Sequence, residues 1–498
     1  MSFDYLIVGN SILGLTTAYR LNQLAPSAKI GIIGPTQRTS SATAAAGAML
    51  GLFGEVTATR HTNQYDKAYF ELAHYAQSVW PDFVAELNDQ LSAEQAIRIH
   101  PNGTFVLRNT QDTHTDDSLN YQAILRALKE YNEPHETIEP QDIPGLAQEA
   151  SARALASVYI PNERSINPMS VLHGLERVLH TKPPVTQIDG IVTRLCTVKH
   201  HSAIAGVELL NGDRHSADQV IIAAGVGSQD LIDTLPTLQG RIPHIMSGDG
   251  VSFVFDQSAL GPHKIKHVIR TPNRAGAYGL HLVPNIHDKD VLYLGAGNVM
   301  QWRPLPGASM ESATWLMNSS LQSMSKHLGN ARLLRFNQGN RPTPIDGYPL
   351  LGACSSISGL WCLTGTGRDG FQRSPALSEQ IAKQLTDSTR CSTSAQTTCT
   401  IFDTFAPERL PIQTISQAES IVQLQKAILC APHEIHSLLP RDLQTPVPEE
   451  LHRHISSVYA QLNTDLALTS TAMLPLIYRR WSIDTVKAYL DTAQKAWR

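Results

Sequence analysis

Gly9-Asn10-Ser11-Ile12-Leu13-Gly14, close behind the N-terminus, is a turn of the kind that cradles phosphate. In the Gly-x-Gly-x-x-Gly form of such a turn, the first glycine makes the bend and the second lets backbone approach a pyrophosphate. The third lets helix and strand pack closely. Ser11 holds the middle place here, and its small hydroxyl side chain can itself reach a phosphate. A second group is the run of small residues from Thr39 through Ser41, Thr43, Ala46 and Gly47 to Met49 and Gly51. It reads either as a flexible linker or as backbone brought against a flat cofactor. Its direct passage into Met49-Leu50-Gly51-Leu52-Phe53 favours the second. A third is Ala223-Ala224-Gly225, small residues ending an apolar run. No Ser-His-Asp array is present, and the 20 histidines show no metal-ligand spacing; His200-His201 reads as a hairpin tip. The 6 cysteines lack a C-x-x-C pair and read as reduced thiols, not disulfides or a zinc site.

These groups need elements to hold them. Tyr5-Leu6-Ile7-Val8 is a short apolar strand of the kind buried in a parallel sheet. Leu13, Thr17, Leu21 and Leu24 share one helical face, and Lys29–Ile33 restores strand character. Strand, glycine turn, helix and strand make a βαβ dinucleotide-binding unit. One expected part is missing: the second strand should end in an acid for a ribose hydroxyl, and Ile33-Gly34-Pro35-Thr36 stands there. Gln219–Gly225 reads as a strand returning to this sheet after an excursion. The excursion holds helices near 66–90 and 118–131 and alternating segments near 103–107 and 204–210. Val251–Phe255, Tyr278–Val283 and Val291–Gly295 suggest a mixed or antiparallel sheet flooring a substrate pocket. Residues 341–385 read as glycine-rich loops ending in a helix, and 388–400 as a surface linker.

Beyond 410, apolar stripes recur at helical spacing: Ile421, Leu424 and Ile428; Leu451, Ile455, Val458 and Leu462; Ile483, Val486, Leu490, Ala493 and Trp497. They predict a helical appendage of three to five helices, packed on the main body or on a sister subunit. A docking site or a lid is the sharper alternative. With 42% apolar residues and a net charge of −4, the chain builds a large core and offers no basic patch for nucleic acid. The start MSFDYLIVG lacks a basic leader and no run spans a membrane, so the expected location is cytoplasmic.

Asn340-Arg341-Pro342-Thr343-Pro344-Ile345-Asp346-Gly347-Tyr348-Pro349-Leu350-Leu351-Gly352 is the most specific motif in the chain. Gly359-Leu360-Trp361-Cys362-Leu363-Thr364-Gly365-Thr366-Gly367-Arg368-Asp369-Gly370 and Ser374-Pro375-Ala376 follow it. With Ala44–Leu50, Ser165-Ile166-Asn167-Pro168 and Ala223-Ala224-Gly225 in order before them, residues 4–410 resemble the flavin-dependent D-amino-acid oxidase, glycine oxidase and sarcosine oxidase (DAO) family. The resemblance implies an α/β fold: a Rossmann-like FAD-binding domain interleaved with a mixed-sheet α+β substrate domain. The FAD parts would be about 1–80, 160–235 and 335–410 and the substrate parts about 81–159 and 236–334, with 411–498 as the helical appendage.

The activity implied is oxidation of an amine or amino acid by hydride transfer from the amine-bearing carbon to flavin N5. An imine forms, and oxygen as acceptor yields hydrogen peroxide. The alternatives are a dehydrogenase serving a quinone or carrier, and a flavin-binding interaction module acting through the tail, which is also a candidate surface for a homodimer or protein partner. Cofactor contacts are carried over to Gly9, Ser11, Ile12, Gly14, Ser41, Thr43, Ala46, Gly47, Met49, Val192, Ala224, Gly225, Gly367, Arg368, Asp369, Gly370, Phe371 and Gln372. Positions matching covalent attachment points hold Gly339 and Ala44, so non-covalent FAD is expected. Arg341 is the candidate clamp for a substrate carboxylate, its alternative being an ion pair with Asp346. His281 stands where a phenol often helps hold that carboxylate, with Tyr278 three residues earlier. Arg368 and Arg373 either stabilise charge on reduced flavin or are solvated. A helix starting near Ser374 would aim its N-terminus at the same place. No metal is implied.

Overall fold

The computed structural model describes the chain apart from residues 60–62, 111–114, 199–201, 274–278, 388–398, 431–447 and 498. Tyr278, His200, His201 and nearly all of the expected linker at 388–400 therefore lie outside the described residues. Ser2–Val8 buries Leu6 and Ile7 completely, which requires sheet neighbours on both sides and cover on both faces. Ile30–Gly34 and Arg214–Ile222 flank it, both parallel. Val185–Asp189 extends the sheet beyond Ile30–Gly34, and Leu360–Thr364 pairs parallel with Arg214–Ile222, followed antiparallel by Leu350–Ala353. Over one face lie the helices Ile12–Leu24, Gln64–Asn88, Pro168–His180 and Gly370–Thr386, with Leu15, Leu21, Trp80, Phe83, Leu175 and Leu377 at their shared core.

The segment near 204–210, expected within the excursion, belongs to this first sheet. It forms a hairpin with Val192–Thr197 and pairs with the outer half of Arg214–Ile222, whose inner half takes Leu360–Thr364. A nine-residue strand is long enough to serve both neighbours along one edge.

The second sheet runs Val299–Gln301, Ile245–Asp256, Val291–Gly295, His281–Pro284, Val268–Arg270, Thr104–Asn109, Ala154–Ile160, Glu136–Thr137. It is mixed, because Val268–Arg270 and Thr104–Asn109 are parallel while the other pairs are antiparallel. Arg332–Pro344 pairs with Ile245–Asp256 along its whole length and sets Arg341 opposite Gly248. Sequence reading placed 335–344 with the nucleotide-binding part; the strand they form lies in this second sheet. The division expected near residue 80 falls inside the continuous helix Gln64–Asn88.

The tail forms the helices Gln417–Cys430, Pro448–Leu462, Ser470–Ile477 and Ile483–Ala496. Leu424, Leu451, Ile455, Val458, Leu462 and Leu490 close around Met246, Met300 and Ile345 of the main body. Trp497 departs from its stripe: it lies past the last helix, 39% exposed, against the Arg241 guanidinium. Among the described residues no helix is long and apolar enough to cross a membrane.

Candidate active site

At the carboxyl end of Ser2–Val8, Gly9 takes φ +123°, and a Cβ there would lie 2.2 Å from the Ala223 carbonyl oxygen. A Cβ at Gly14 would lie 1.8 Å from the Gly9 oxygen. The two glycines thus let the helix Ile12–Leu24 abut the strand end, as close packing requires. Ser11 stands at the N-cap without a side-chain cap bond, its hydroxyl 3.3 Å from that of Ser41. No acid occupies the helix's first turn. The first amides therefore face open space with a positive dipole end, which suits an anionic diphosphate.

That space is a cavity of about 540 Å³. Of the sequence-predicted cofactor residues, Gly9, Ser11, Ile12, Ser41, Thr43, Ala46, Gly47, Met49, Val192, Ala224, Gly225 and Gly367 through Gln372 line it. Gly14 does not; it works from behind by admitting Gly9. Where a ribose acid was missed, Asn10 donates to the Pro35 carbonyl at 2.9 Å, and Arg38 holds the Asn10 carbonyl and pairs with Glu176. Arg38, Gly34 and Pro35 line this end of the cavity.

Further along, the small-residue run is fastened to the second sheet. Its Ala45 carbonyl accepts from the Tyr293 hydroxyl at 2.7 Å and from the Ser252 hydroxyl at 3.1 Å. A Cβ at Gly47 would lie 2.7 Å from the Tyr293 ring, so backbone and ring meet directly. Gly339 is equally confined, its Cβ position 2.8 Å from the Ala45 methyl, so a cysteine side chain has no place there without a shift. The helix expected at Ser374 begins earlier, as Gly370–Thr386, again with no acid in its first turn. Gly370, Phe371 and Gln372 therefore line the cavity as first-turn residues. Arg373 points away: it stacks on Tyr69 with its guanidinium carbon 3.8 Å from the ring centroid and pairs with Asp369.

Arg341 and His281 line the same cavity. The Arg341 guanidinium lies over Gly250, where a Cβ would be 2.2 Å from Nη1, and donates to the Gly297 carbonyl at 2.9 Å. Asp346, the alternative partner, is instead held by Arg409 at 2.9 Å and by the Tyr348 and Ile412 amides. His281 places Nδ1 3.2 Å from the Gly279 carbonyl and stacks near-parallel on Tyr293. Burial and, secondarily, the charge of Arg270 push its pKa down to about 3, so the ring is neutral.

Glu55, Arg270, Tyr293 and the deeper Glu163 were not anticipated. Arg270, 1% exposed, pairs with Glu55 at 2.6 Å, and Arg368 pairs with the other Glu55 oxygen. Burial would raise the Glu55 pKa, but Arg270 and Arg368 outweigh it and hold the carboxyl well below the usual range. Glu163 accepts from the Leu52 and Gly54 amides at 2.6 and 3.1 Å, and burial drives its pKa upward. One signal was available: Arg270 ends the apolar run Val268-Ile269, where a charge demands a buried partner. Among the described residues no cluster of side chains fit for a metal ion occurs.

A family model described as FAD dependent oxidoreductase (DAO) matches residues 4–384. Glycine oxidase of Pseudomonas putida strain KT2440 is 23% identical over 398 residues, covering 78% of this chain and 95% of the relative. The crystal structure of glycine oxidase from Geobacillus kaustophilus superposes with a TM-score of 0.65 at 18% identity, covering 82% of this chain and 99% of that one. L-proline dehydrogenase from P. horikoshii shares the fold at a TM-score of 0.62 and 14% identity, covering 82% and 97%.

Proposed function

The chain belongs to the DAO family of FAD-dependent oxidoreductases, and from that premise we propose that it oxidises a small amino acid held by its carboxylate on Arg341. The family's cofactor is FAD, and the cavity fits it: an uncapped helix N-terminus for the diphosphate, glycine-only backbone around it, and small residues against Tyr293. When bound, the flavin accepts the electron pair of the substrate's C–H bond. The protein's share is binding, orientation and exclusion of competing contacts.

The observation that carries this reading is the placement of Arg341. Its guanidinium faces the cavity from a strand paired throughout its length, and Asp346 is occupied by Arg409. A planar fork held in this way binds a carboxylate bidentately and fixes the carbon next to it. His281, kept neutral, serves as a hydrogen-bonding wall and not as a proton acceptor near pH 7. Similarity to glycine oxidases supports oxygen as electron acceptor; the shared fold of L-proline dehydrogenase supports a carrier instead.

Arg341→Lys keeps the charge and loses the fork. It should retain FAD and weaken carboxylate substrates roughly 10- to 150-fold, as expected for a lost charge-assisted hydrogen bond. Arg341→Ala should be worse, and amines without a carboxylate should be little affected. Equal losses for both substrate kinds, or flavin lost with the side chain, would make Arg341 structural. Anaerobic bleaching of the flavin band by an amino-acid panel, then oxygen uptake, separates oxidase from dehydrogenase.

A further inference from the structure

The acceptors that hold Arg341 sit on the segment 296–304, which also supplies Ala296 and Pro304 to the cavity wall. Gly297 and Asn298 face Arg341, and the Asn298 amide reaches the Met300 sulfur at 3.7 Å. A Cβ at Gly248 would lie 2.7 Å from Asn298 Oδ1 and 3.4 Å from both Arg341 Cβ and Met300 Sδ, so these groups form one packed unit.

The other side of this segment is covered by the C-terminal helices. Met300 is 5% exposed and belongs to their core. Trp302 meets Trp481 edge-on at 5.5 Å and Tyr489 at 5.9 Å, and lies flat on His244 at 3.7 Å. The His244 amide donates to the Tyr489 hydroxyl at 3.1 Å, and the Thr469 hydroxyl donates to the Ile345 carbonyl just beyond the Arg341 strand. Arg480 pairs with Glu311 at 3.2 Å. The Trp481 ring nitrogen is buried without a hydrogen-bond partner, so this residue acts through its ring face. The C-terminal helices lie wholly beyond the matched family region, yet they form the back wall of the segment that holds Arg341.

We propose that the C-terminal helices are a positioning element for the substrate clamp, with Trp481 as its principal positioning residue acting through Trp302 and Met300 on Gly297 and Asn298. The inference rests on the reading of Arg341 as that clamp. Removing the Trp481 ring lets the segment 296–304 relax, so the guanidinium loses its fixed acceptors and carboxylate binding suffers. The phosphate turn Gly9–Gly14, built on the first sheet, is untouched. A displacement of about 1 Å at a positioned group costs up to roughly a hundredfold.

The test uses the full-length flavin-loaded protein with acetate as an inert carboxylate probe, its affinity read from the perturbed flavin absorbance. Trp481→Ala should bind acetate about 10- to 100-fold more weakly at unchanged FAD content, and Trp481→Phe should restore most of the affinity. KM for an amino-acid substrate should rise more than for an amine lacking the carboxylate. Combining Trp481→Ala with Arg341→Lys should add little to Arg341→Lys alone, because both act on one interaction. Should Trp481→Ala not fold, Trp481→Leu, which keeps an apolar filling without the flat ring, carries the same expectation. Unchanged acetate affinity in a folded Trp481 variant, or fully additive losses, would overturn the positioning role while leaving the clamp intact. Unchanged acetate affinity in Arg341→Lys would overturn the clamp, and the positioning role with it.

Discussion

Glu55 is the point on which the buried charges of the cavity wall balance. It faces Arg270 and Arg368 at once, and Arg270 is shut off from solvent. Glu55→Gln removes the carboxylate paired with that guanidinium, while nearby Glu163 is pushed toward its neutral form by burial. The expected cost is roughly 3 kcal/mol in denaturant unfolding of the loaded protein, the range for breaking a buried pair. A second consequence follows from histidines. His281 and His244 are held neutral by burial, with pKa values pushed down to about 3 and about 4. Unfolded histidine titrates near 6.5, so below that pH the unfolded chain binds protons that the folded one refuses. Stability should therefore be full above about pH 6.5 and fall toward pH 4, by up to ~1.4 kcal/mol per pH unit for each histidine. His244→Gln should flatten that slope, as measured by melting temperature against pH.

At the scale of elements, the strand Ile245–Asp256 carries Gly248 and Gly250 because Arg341 and Asn298 occupy the space their side chains would need. Gly250→Ala puts a methyl at the far end of a flexible side chain, which yields more readily than backbone. The variant should fold and keep FAD while carboxylate KM rises about tenfold or more, a split that steady-state kinetics reads directly. Gly9→Ala is the opposite case. Its Cβ meets a backbone carbonyl at a φ of +123°, so FAD binding should be lost, as checked by flavin titration. These steric demands explain what could be read in advance. Gly9 and Gly14 were legible because only their residue type allows the turn. Asn167 was legible only through the family resemblance and caps Pro168–His180, its side chain accepting from the Ser170 amide. The start of Gly370–Thr386 was not, because Ser374-Pro375 imitates a cap followed by a first-turn proline. In the fold the helix runs through Pro375, and the Ser374 hydroxyl donates to the Phe371 carbonyl, which Pro375 cannot reach. Tyr293 stayed hidden for another reason: its role depends on a partner 248 residues away, which no local pattern records, whereas Arg270 ends an apolar run that signals a buried charge without naming its partner 215 residues away.

For the whole molecule, the tail is part of the body. Truncation after Leu410 would uncover Met246, Met300 and Ile345 together with their contacts, an apolar surface that should aggregate. Light scattering of the truncated protein checks this, and a monodisperse product with wild-type carboxylate affinity would contradict it. The intact protein should be yellow and release its FAD on acid precipitation, since Gly339 and Ala44 offer no atom for attachment. The first sheet also carries a consequence for synthesis. Ser2–Val8 leaves the ribosome some two hundred residues before its partner Arg214–Ile222, and the edge strand Leu350–Ala353 and its neighbour Leu360–Thr364 come later still. The helix Gly370–Thr386, whose first turn lines the cavity, follows them. The nucleotide cradle thus opens with Ser2–Val8 and closes only once Gly370–Thr386 has been translated. Nascent chains that stall before residue 350 lack two strands of this sheet and the helix that completes the cavity, and expose an unpaired strand edge open to association.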